Sequence, residues 1–303
     1  MIKLRKPEKL PDVVLSIAHR GARAFAPENT LEAFQKAKAF DCQMIELDVR
    51  LSKDGVLMVH HDEDLIRCTD VKVKFPDQAS YYVWDFTYDE LATLDAGNWY
   101  IKQLSLPQNQ RQAYLQTLTD DEVSHFVSPQ DFDNYVSGNI RLPTLQQTLT
   151  FAKQAELMVN IELKSQPHRS TELANAVVSL VEFMEMDQQV LISSFTHDLL
   201  IQVRQLSNTL AIGVLTSERI ENLSQYLQLL DADAYHPNCY SDSKINPDNK
   251  LNLEGVAFAL NAGCYVNVWT CNNKDDMRQL IAAGVSGLIS DFPNRVRDVL
   301  LAD

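Results

Sequence analysis

Residues 44–61 read MIELDVRLSKDGVLMVHH. The opening run, 44–51, is largely apolar, yet it carries Glu46 and Asp48 two positions apart. On a strand that spacing puts both carboxylates on one face. Lys53-Asp54-Gly55 breaks the run before a second apolar stretch, which signals a hairpin with its return strand antiparallel to the first. His60 and His61 are adjacent, so only one of them can face the carboxylates. A two- or four-residue loop presents His61, and a three-residue loop with a Gly bulge presents His60. The spacing alone leaves that choice open.

Working outward, short apolar runs alternate with stretches of helical period. Strands are expected at 13–18, 44–51, 157–163, 190–195, 210–215, 233–236, 265–270 and 287–290. Helical patterns are expected at 30–40, with Thr30 near the start, and at 144–156, 170–186, 197–206, 218–230, 251–262, 274–283 and 293–301. Strand–helix alternation repeated about eight times implies a parallel sheet. With no dinucleotide-type glycine fingerprint, a closed (β/α)8 barrel is favoured over an open doubly wound sheet. Residues 71–140 break the rhythm. They carry aromatic YYVWDF, a Gln- and Asp-rich stretch and a candidate helix around 109–118. This segment reads as an insertion on one face of a single 1–303 barrel domain, a lid or specificity cap.

The formal charge of −14 and pI near 4.9 disfavour nucleic acid and anionic membrane surfaces as partners. An anionic ester substrate would therefore need local cations to reverse the sign inside its pocket. The five cysteines are scattered without C-x-x-C spacing, which speaks for a reducing, cytoplasmic setting. Neither a signal peptide nor a membrane span fits the short apolar run before His19.

In a barrel the chemistry sits at the C-terminal strand ends. His19-Arg20-Gly21 closes the first strand, Glu46 and Asp48 lie in the second, and Glu162 and Lys164 end the strand at 157–163. Charged side chains in apolar strands are costly unless they pair or bind something. Glu46, Asp48 and Glu162 form an all-oxygen set suited to a hard cation, Mg²⁺ or Ca²⁺. The competing arrangement pairs Glu46 with Arg20 or Arg50 and Glu162 with Lys164. His19 and one histidine of the hairpin would flank this group, placed for general acid and base work near neutral pH. In Pro27-Glu28-Asn29-Thr30, Asn29 or Thr30 can cap the next helix, and Glu28 can orient a catalytic group.

The motifs extend through Ile45-Glu46-Leu47-Asp48, Asp54-Gly55, His61-Asp62, Leu65 and Arg67. Beyond 140 they continue in Leu142-Pro143-Thr144-Leu145, Ile161-Glu162-Leu163-Lys164, Ser194-Phe195, Trp269-Thr270, and Gly284 with Gly287-Leu288-Ile289-Ser290-Asp291 and Pro293. In this order they resemble the glycerophosphodiester phosphodiesterases over nearly the whole chain outside 71–140. The resemblance implies a TIM barrel with a small insertion after the second βα region. It implies a divalent cation on Glu46, Asp48 and Glu162, catalytic His19 and His61, and phosphate held by Arg20 and Lys164. It thereby selects His61 over His60. Glu28, Asn29 and Trp269 fall where supporting residues are expected. The implied substrate is a small glycerophosphodiester, cleaved to sn-glycerol 3-phosphate and an alcohol. After Arg67 the chain departs from the family pattern, reading Cys68-Thr69-Asp70 with no glycine-rich turn, and the following region is long. These changes bear on substrate choice.

Two other readings compete. A phospholipase D-like or lysophospholipid-cleaving enzyme would need an apolar groove, for which Tyr81, Tyr82, Trp84 and Phe86 are candidates, although packing of the insertion against the barrel is the favoured account of them. A non-catalytic phosphate-binding barrel would be expected to lack some of the histidines or carboxylates, and none is missing.

Overall fold

The computed structural model describes residues 3–5, 13–240 and 250–302. Much of the N-terminal stretch weighed above for a signal peptide (1–2 and 6–12) lies outside them. The strands are β1 (Leu15–Ala18), β2 (Met44–Leu51), β3 (Leu57–Val59), β4 (Met158–Leu163), β5 (Val190–Ser194), β6 (Ala211–Thr216), β7 (Ala234–Pro237), β8 (Tyr265–Val268) and β9 (Gly287–Ser290). Eight of them run parallel in the order β1-β9-β8-β7-β6-β5-β4-β2, and β1 also pairs with β2, closing the barrel. β3 hangs antiparallel on the outer half of β2, as the hairpin signal requires.

A helix follows each barrel strand, directly or after the hairpin and insertion: 31–39, 145–154, 170–183, 197–206, 223–229, 253–261, 274–282 and 293–302. The helix at 145–154 shows why the pattern was readable. Leu145, Thr148, Leu149 and Ala152 are its buried positions, one face at helical spacing. Thr144 and Gln147 form a reciprocal capping box at its start. Within the barrel, Leu15, Ile17, Met44, Met158, Leu191, Tyr265 and Ile289 fill the lower interior, and Leu4 packs into the same cluster. Burying each large apolar side chain stabilises the fold by about 1.5–3 kcal/mol. The buried carboxylates Asp48, Glu162 and Asp291 lie in the later halves of their strands or just past them, and a separate buried charge, Asp233, precedes β7 and pairs with Arg5 and Arg204.

Segment 71–140 contains short helices at 71–74, 88–91, 98–104, 120–126 and 129–135, and no strand of the sheet. The helix expected at 109–118 is instead two tight 3₁₀ turns, 108–110 and 113–117. Pro107 precedes the first, and between them the two turns bury only Leu115, too little apolar surface to hold a regular helix. The segment is fastened over the loop after β1: the Tyr100 hydroxyl donates to the Ala24 carbonyl at 2.6 Å. Lys36 pairs with Asp131 at 2.6 Å, and Arg295 pairs with Glu122 at 2.7 Å. No helix among the described residues is long and apolar enough to cross a membrane.

Candidate active site

After β1 the chain turns through Arg20 (φ 54°) and Gly21 (φ 79°). A Cβ at position 21 would stand 2.6 Å from the Ala33 side chain, so only glycine lets the loop close against the following helix. The turn aims the Arg20 backbone N–H at Glu46 Oε2, 2.8 Å away. The Arg20 guanidinium reaches Glu28 at 2.9 Å and lies 3.4 Å from Asp48.

Glu46 and Asp48 on β2 meet Glu162 on β4, because the parallel register sets Asp48 beside Glu162. One oxygen from each of the three buried carboxylates lies within 4.8 Å of the others. Lys164 stands 3.0 Å from Asp48 and also pairs with Glu162. Of the ion pairs weighed from sequence, Lys164–Glu162 is present, while Glu46 takes a backbone N–H in place of a guanidinium. Electrostatics sort the three. Against its burial, Asp48 is held well below the usual carboxylate range by Lys164, His61 and Arg20. Burial, with the charges of Asp48 and Glu162, pushes Glu46 well above that range. Burial also raises Glu162, to about 7. The cluster is short of positive charge, and an all-oxygen donor set in that condition fits a hard divalent cation.

The hairpin resolves the histidine pair in its own way. Leu51 pairs with Leu57, leaving a five-residue loop, longer than any weighed above. That odd count sets His60, not His61, opposite Asp48, and the His60 N–H donates to the Asp48 carbonyl. The ladder ends there. The buried His60 ring turns to the Asp64 carbonyl, 2.9 Å away. Arg50 grips the His61 carbonyl at 2.9 and 3.1 Å, and His61 lines the cleft beside Arg20.

Each of the two site histidines is braced by a carboxylate. His19 Nδ1 lies 2.7 Å from Asp291 Oδ1, and its Nε2 is 3.9 Å from Glu46. His61 Nδ1 lies 2.6 Å from Asp62 Oδ1. Both aspartates are held below their ordinary pKa despite burial, Asp291 by Arg23 and His19, Asp62 by hydrogen bonds from His61 and Arg67. As carboxylates they only accept, so each imidazole must carry its proton on Nδ1. Burial lowers both imidazoles, His19 to about 4 with Arg23 contributing.

The braces meet at Glu28. Arg23 pairs with Asp291 and lies 3.5 Å from Glu28. Arg67 pairs with Asp62 and with Glu28, each at 2.6 Å. Asn29 (φ 56°) donates to Asp48 at 2.8 Å, which leaves Thr30 as the helix cap. Trp269 stands just past β8, its indole N–H on the His236 carbonyl and its ring edge-on to Phe195. Thus the histidines, carboxylates and cations singled out from sequence, with Asn29 and Trp269, lie at or beside this rim. Asp62, Arg67 and Asp291 entered the sequence reading only as motif residues without a role, and Arg23 did not enter it. Asp291 carried the same signal as the others, an ionisable residue just past a strand end.

A cleft of about 510 Å³ opens beside His61, Arg20 and Asp291, with Gln112 and Tyr114 of the insertion on its wall. A larger hollow, about 1080 Å³, lies beside Thr216, Asn222 and Tyr240 and contains none of the paired charges described above. The chemistry therefore belongs to the smaller cleft.

The sequence profile of the glycerophosphoryl diester phosphodiesterase family matches residues 19–295. A glycerophosphodiester phosphodiesterase of Bacillus altitudinis is 30% identical over 280 residues, covering 92% of this chain and 94% of the relative. One from Caldanaerobacter subterraneus subsp. tengcongensis is 30% identical over 279 residues, with the same coverage of 92% and 94%. The structure of an Oleispira antarctica phosphodiesterase in complex with its product sn-glycerol-3-phosphate superposes with a TM-score of 0.73. It is 24% identical and covers 96% of this chain and 97% of that one.

Proposed function

The chain belongs to the glycerophosphoryl diester phosphodiesterase family, and on that premise we propose that it cleaves glycerophosphodiesters to sn-glycerol 3-phosphate and an alcohol, with His19 and His61 moving the protons. The observation that carries this reading is two carboxylate-braced histidines set around three converging carboxylates at one end of the barrel. The product bound to the Oleispira relative supports the choice of product.

Glu46, Asp48 and Glu162 would hold the divalent cation, Mg²⁺ or Ca²⁺, which when bound supplies positive charge against the phosphoryl oxygens. Arg20 and Lys164 add fixed cations at the same place and overcome the acidic surface locally. Asp62 and Asp291 fix the histidine tautomers, so each Nε2 is the nitrogen offered to substrate. One imidazole takes the proton of the attacking hydroxyl, either the glycerol 2-hydroxyl or a water. The other protonates the departing alkoxide, and each transfer contributes about 10²–10⁴ in rate. Burial keeps both rings neutral at pH 7, and an anionic ester between them raises their proton affinity toward the working range. A cyclic glycerol phosphate trapped in single turnover would mark attack by the 2-hydroxyl, and its absence would mark attack by water.

The lysophospholipid reading gains no support. Phe86 is buried and Tyr81 is tied to the Phe75 carbonyl, which leaves only Tyr82 and Trp84 stacked on each other near the surface. Family membership makes the chain a phosphodiesterase and sets aside the non-catalytic barrel. A cytoplasmic location remains part of this proposal, resting on five free, buried thiols.

The test is hydrolysis of glycerophosphocholine by purified protein with Mg²⁺, Ca²⁺ or EDTA, beside a His19→Ala control. Metal-dependent release of glycerol 3-phosphate, lost in the variant, is the expected result. No turnover with any metal overturns the reading.

A further inference from the structure

His19 is braced by Asp291, so whatever holds Asp291 decides how firmly the ring is held. Two of the carboxylate's partners fall on one oxygen. His19 Nδ1 lies 2.7 Å from Oδ1, and the Arg23 Nε–H donates to that same atom. Partners on one oxygen leave the carboxylate able to pivot about its Cβ–Cγ bond, a broad and soft torsion. A partner on Oδ2 removes that freedom. Among the described residues the partner there is Asn272, whose Nδ2 donates to Oδ2 at 2.7 Å.

The Asn272 amide is itself fixed in orientation. Its Oδ1 accepts from the Ser290 hydroxyl and from the Asp291 backbone N–H, each at 3.0 Å. The backbone N–H can only donate, which identifies that atom as the carbonyl oxygen and leaves the NH₂ group facing the Asp291 carboxylate. The main chain is held as well. Arg295 donates to the Asn272 carbonyl at 3.1 Å, and its other nitrogen is anchored in the insertion by Glu122 and by the Thr117 carbonyl, each at 2.7 Å. Backbone and side chain are both clamped before any substrate arrives, which is what precise positioning requires.

We propose that Asn272 is a positioning residue for the cleavage reaction, locking the plane of the Asp291 carboxylate and, through it, the His19 imidazole. The inference rests on the function proposed above and deepens it by naming the group that sets the aim of one histidine. Asn272 also lines the cleft, so direct contact with substrate is the rival role. The two roles differ in what they do to kcat and KM, and in whether they need Asp291.

The experiment measures kcat and KM for glycerophosphocholine with Mg²⁺ or Ca²⁺ in the wild type, Asn272→Asp, Asp291→Ala and the double variant. Aspartate keeps the shape of the side chain and an oxygen for Ser290 and the Asp291 N–H, and it replaces the donor. A purely structural role tolerates that change. Positioning does not: kcat is expected to fall about tenfold or more, with KM within about twofold of wild type. Without the Asp291 carboxylate the donor has nothing to hold, so in the Asp291→Ala background the same substitution should lower kcat by less than about threefold. If Asn272→Asp melts more than about 5 °C below wild type, Asn272→Ala takes its place with the same expectations. A kcat within about twofold of wild type, a loss carried by KM, or an equal loss in the Asp291→Ala background overturns the inference. Wild type that fails to turn over glycerophosphocholine with either metal brings down the functional reading itself, and this inference with it.

Discussion

Around the barrel rim, β9, β1, β2 and β4 lead to Asp291, His19, Asp48 and Glu162, whereas β5, β6 and β7 lead to Ser194, Thr216 and Asn238. The two arcs are built from the same strand–helix unit, yet their polar groups are satisfied in different ways. On the uncharged arc each finds a partner close to its own strand end. Ser194 donates to the Leu163 carbonyl on the neighbouring strand, Thr216 to the Glu218 carbonyl, and Asn238 accepts from the Tyr240 N–H. On the charged arc the partners come from different strands and loops, as when Lys164 serves Asp48 and Arg23 serves Asp291. Buried charges must compensate one another, so they occupy neighbouring strands. A reactive group is therefore most exposed to perturbation on that arc.

The largest expected effect falls there. His19→Ala or His61→Ala should lower kcat/KM on a glycerophosphodiester by about 10³-fold or more, read by release of glycerol 3-phosphate. A loss under tenfold would break the contrast between the arcs. Next, Asp48→Asn should weaken Mg²⁺ or Ca²⁺ binding by about 10²-fold or more in calorimetry, because it removes a ligand and the anchor of Lys164 together. Unchanged affinity would place the cation elsewhere.

The third expectation concerns pH. Burial raises the Glu162 carboxyl from its ordinary 4.5 to about 7 in the folded protein, so the native state keeps a proton the unfolded chain has lost between those values. Its contribution therefore falls as pH rises through that window, by an amount on the order of 3 kcal/mol. Denaturant melts in EDTA at pH 5 and pH 7 would detect it, and Glu162→Gln should flatten the difference. Added divalent cation should restore stability most at pH 7. Smallest of all, Thr216→Val on the uncharged arc should cost about 1 kcal/mol of stability and leave kcat/KM within twofold. A large loss of activity would show that the quiet arc takes part in the chemistry.

The barrel was legible because its signals are local. The run at 44–51 became β2 at its expected bounds, 287–290 became β9, and the other barrel strands fell within about three residues of theirs. The carboxylate set followed from spacing by two along β2 and from its neighbour β4. The histidine choice was not legible from spacing, because it depends on where the ladder stops and on Arg50 holding the His61 carbonyl. Asp62 and Asp291 escaped notice as a pair because their common link runs through arginines remote in sequence from one or both of them. The insertion was least legible: its elements are short, several are set by caps such as Thr87, Thr119 and Ser128, and a period of 3.6 has no length over which to show itself.

Glu28 sits where the two histidine braces join, held by Arg20, Arg23 and Arg67. In genetic terms, the surroundings of His19 and His61 form one epistatic unit. A change accepted near Asp62 alters the charge that Glu28 presents to Arg23 and Asp291, and so alters which changes are tolerated there. Suppressors of a lesion in the N-terminal part of the chain should accordingly map to its C-terminal end, around the strand that closes the barrel.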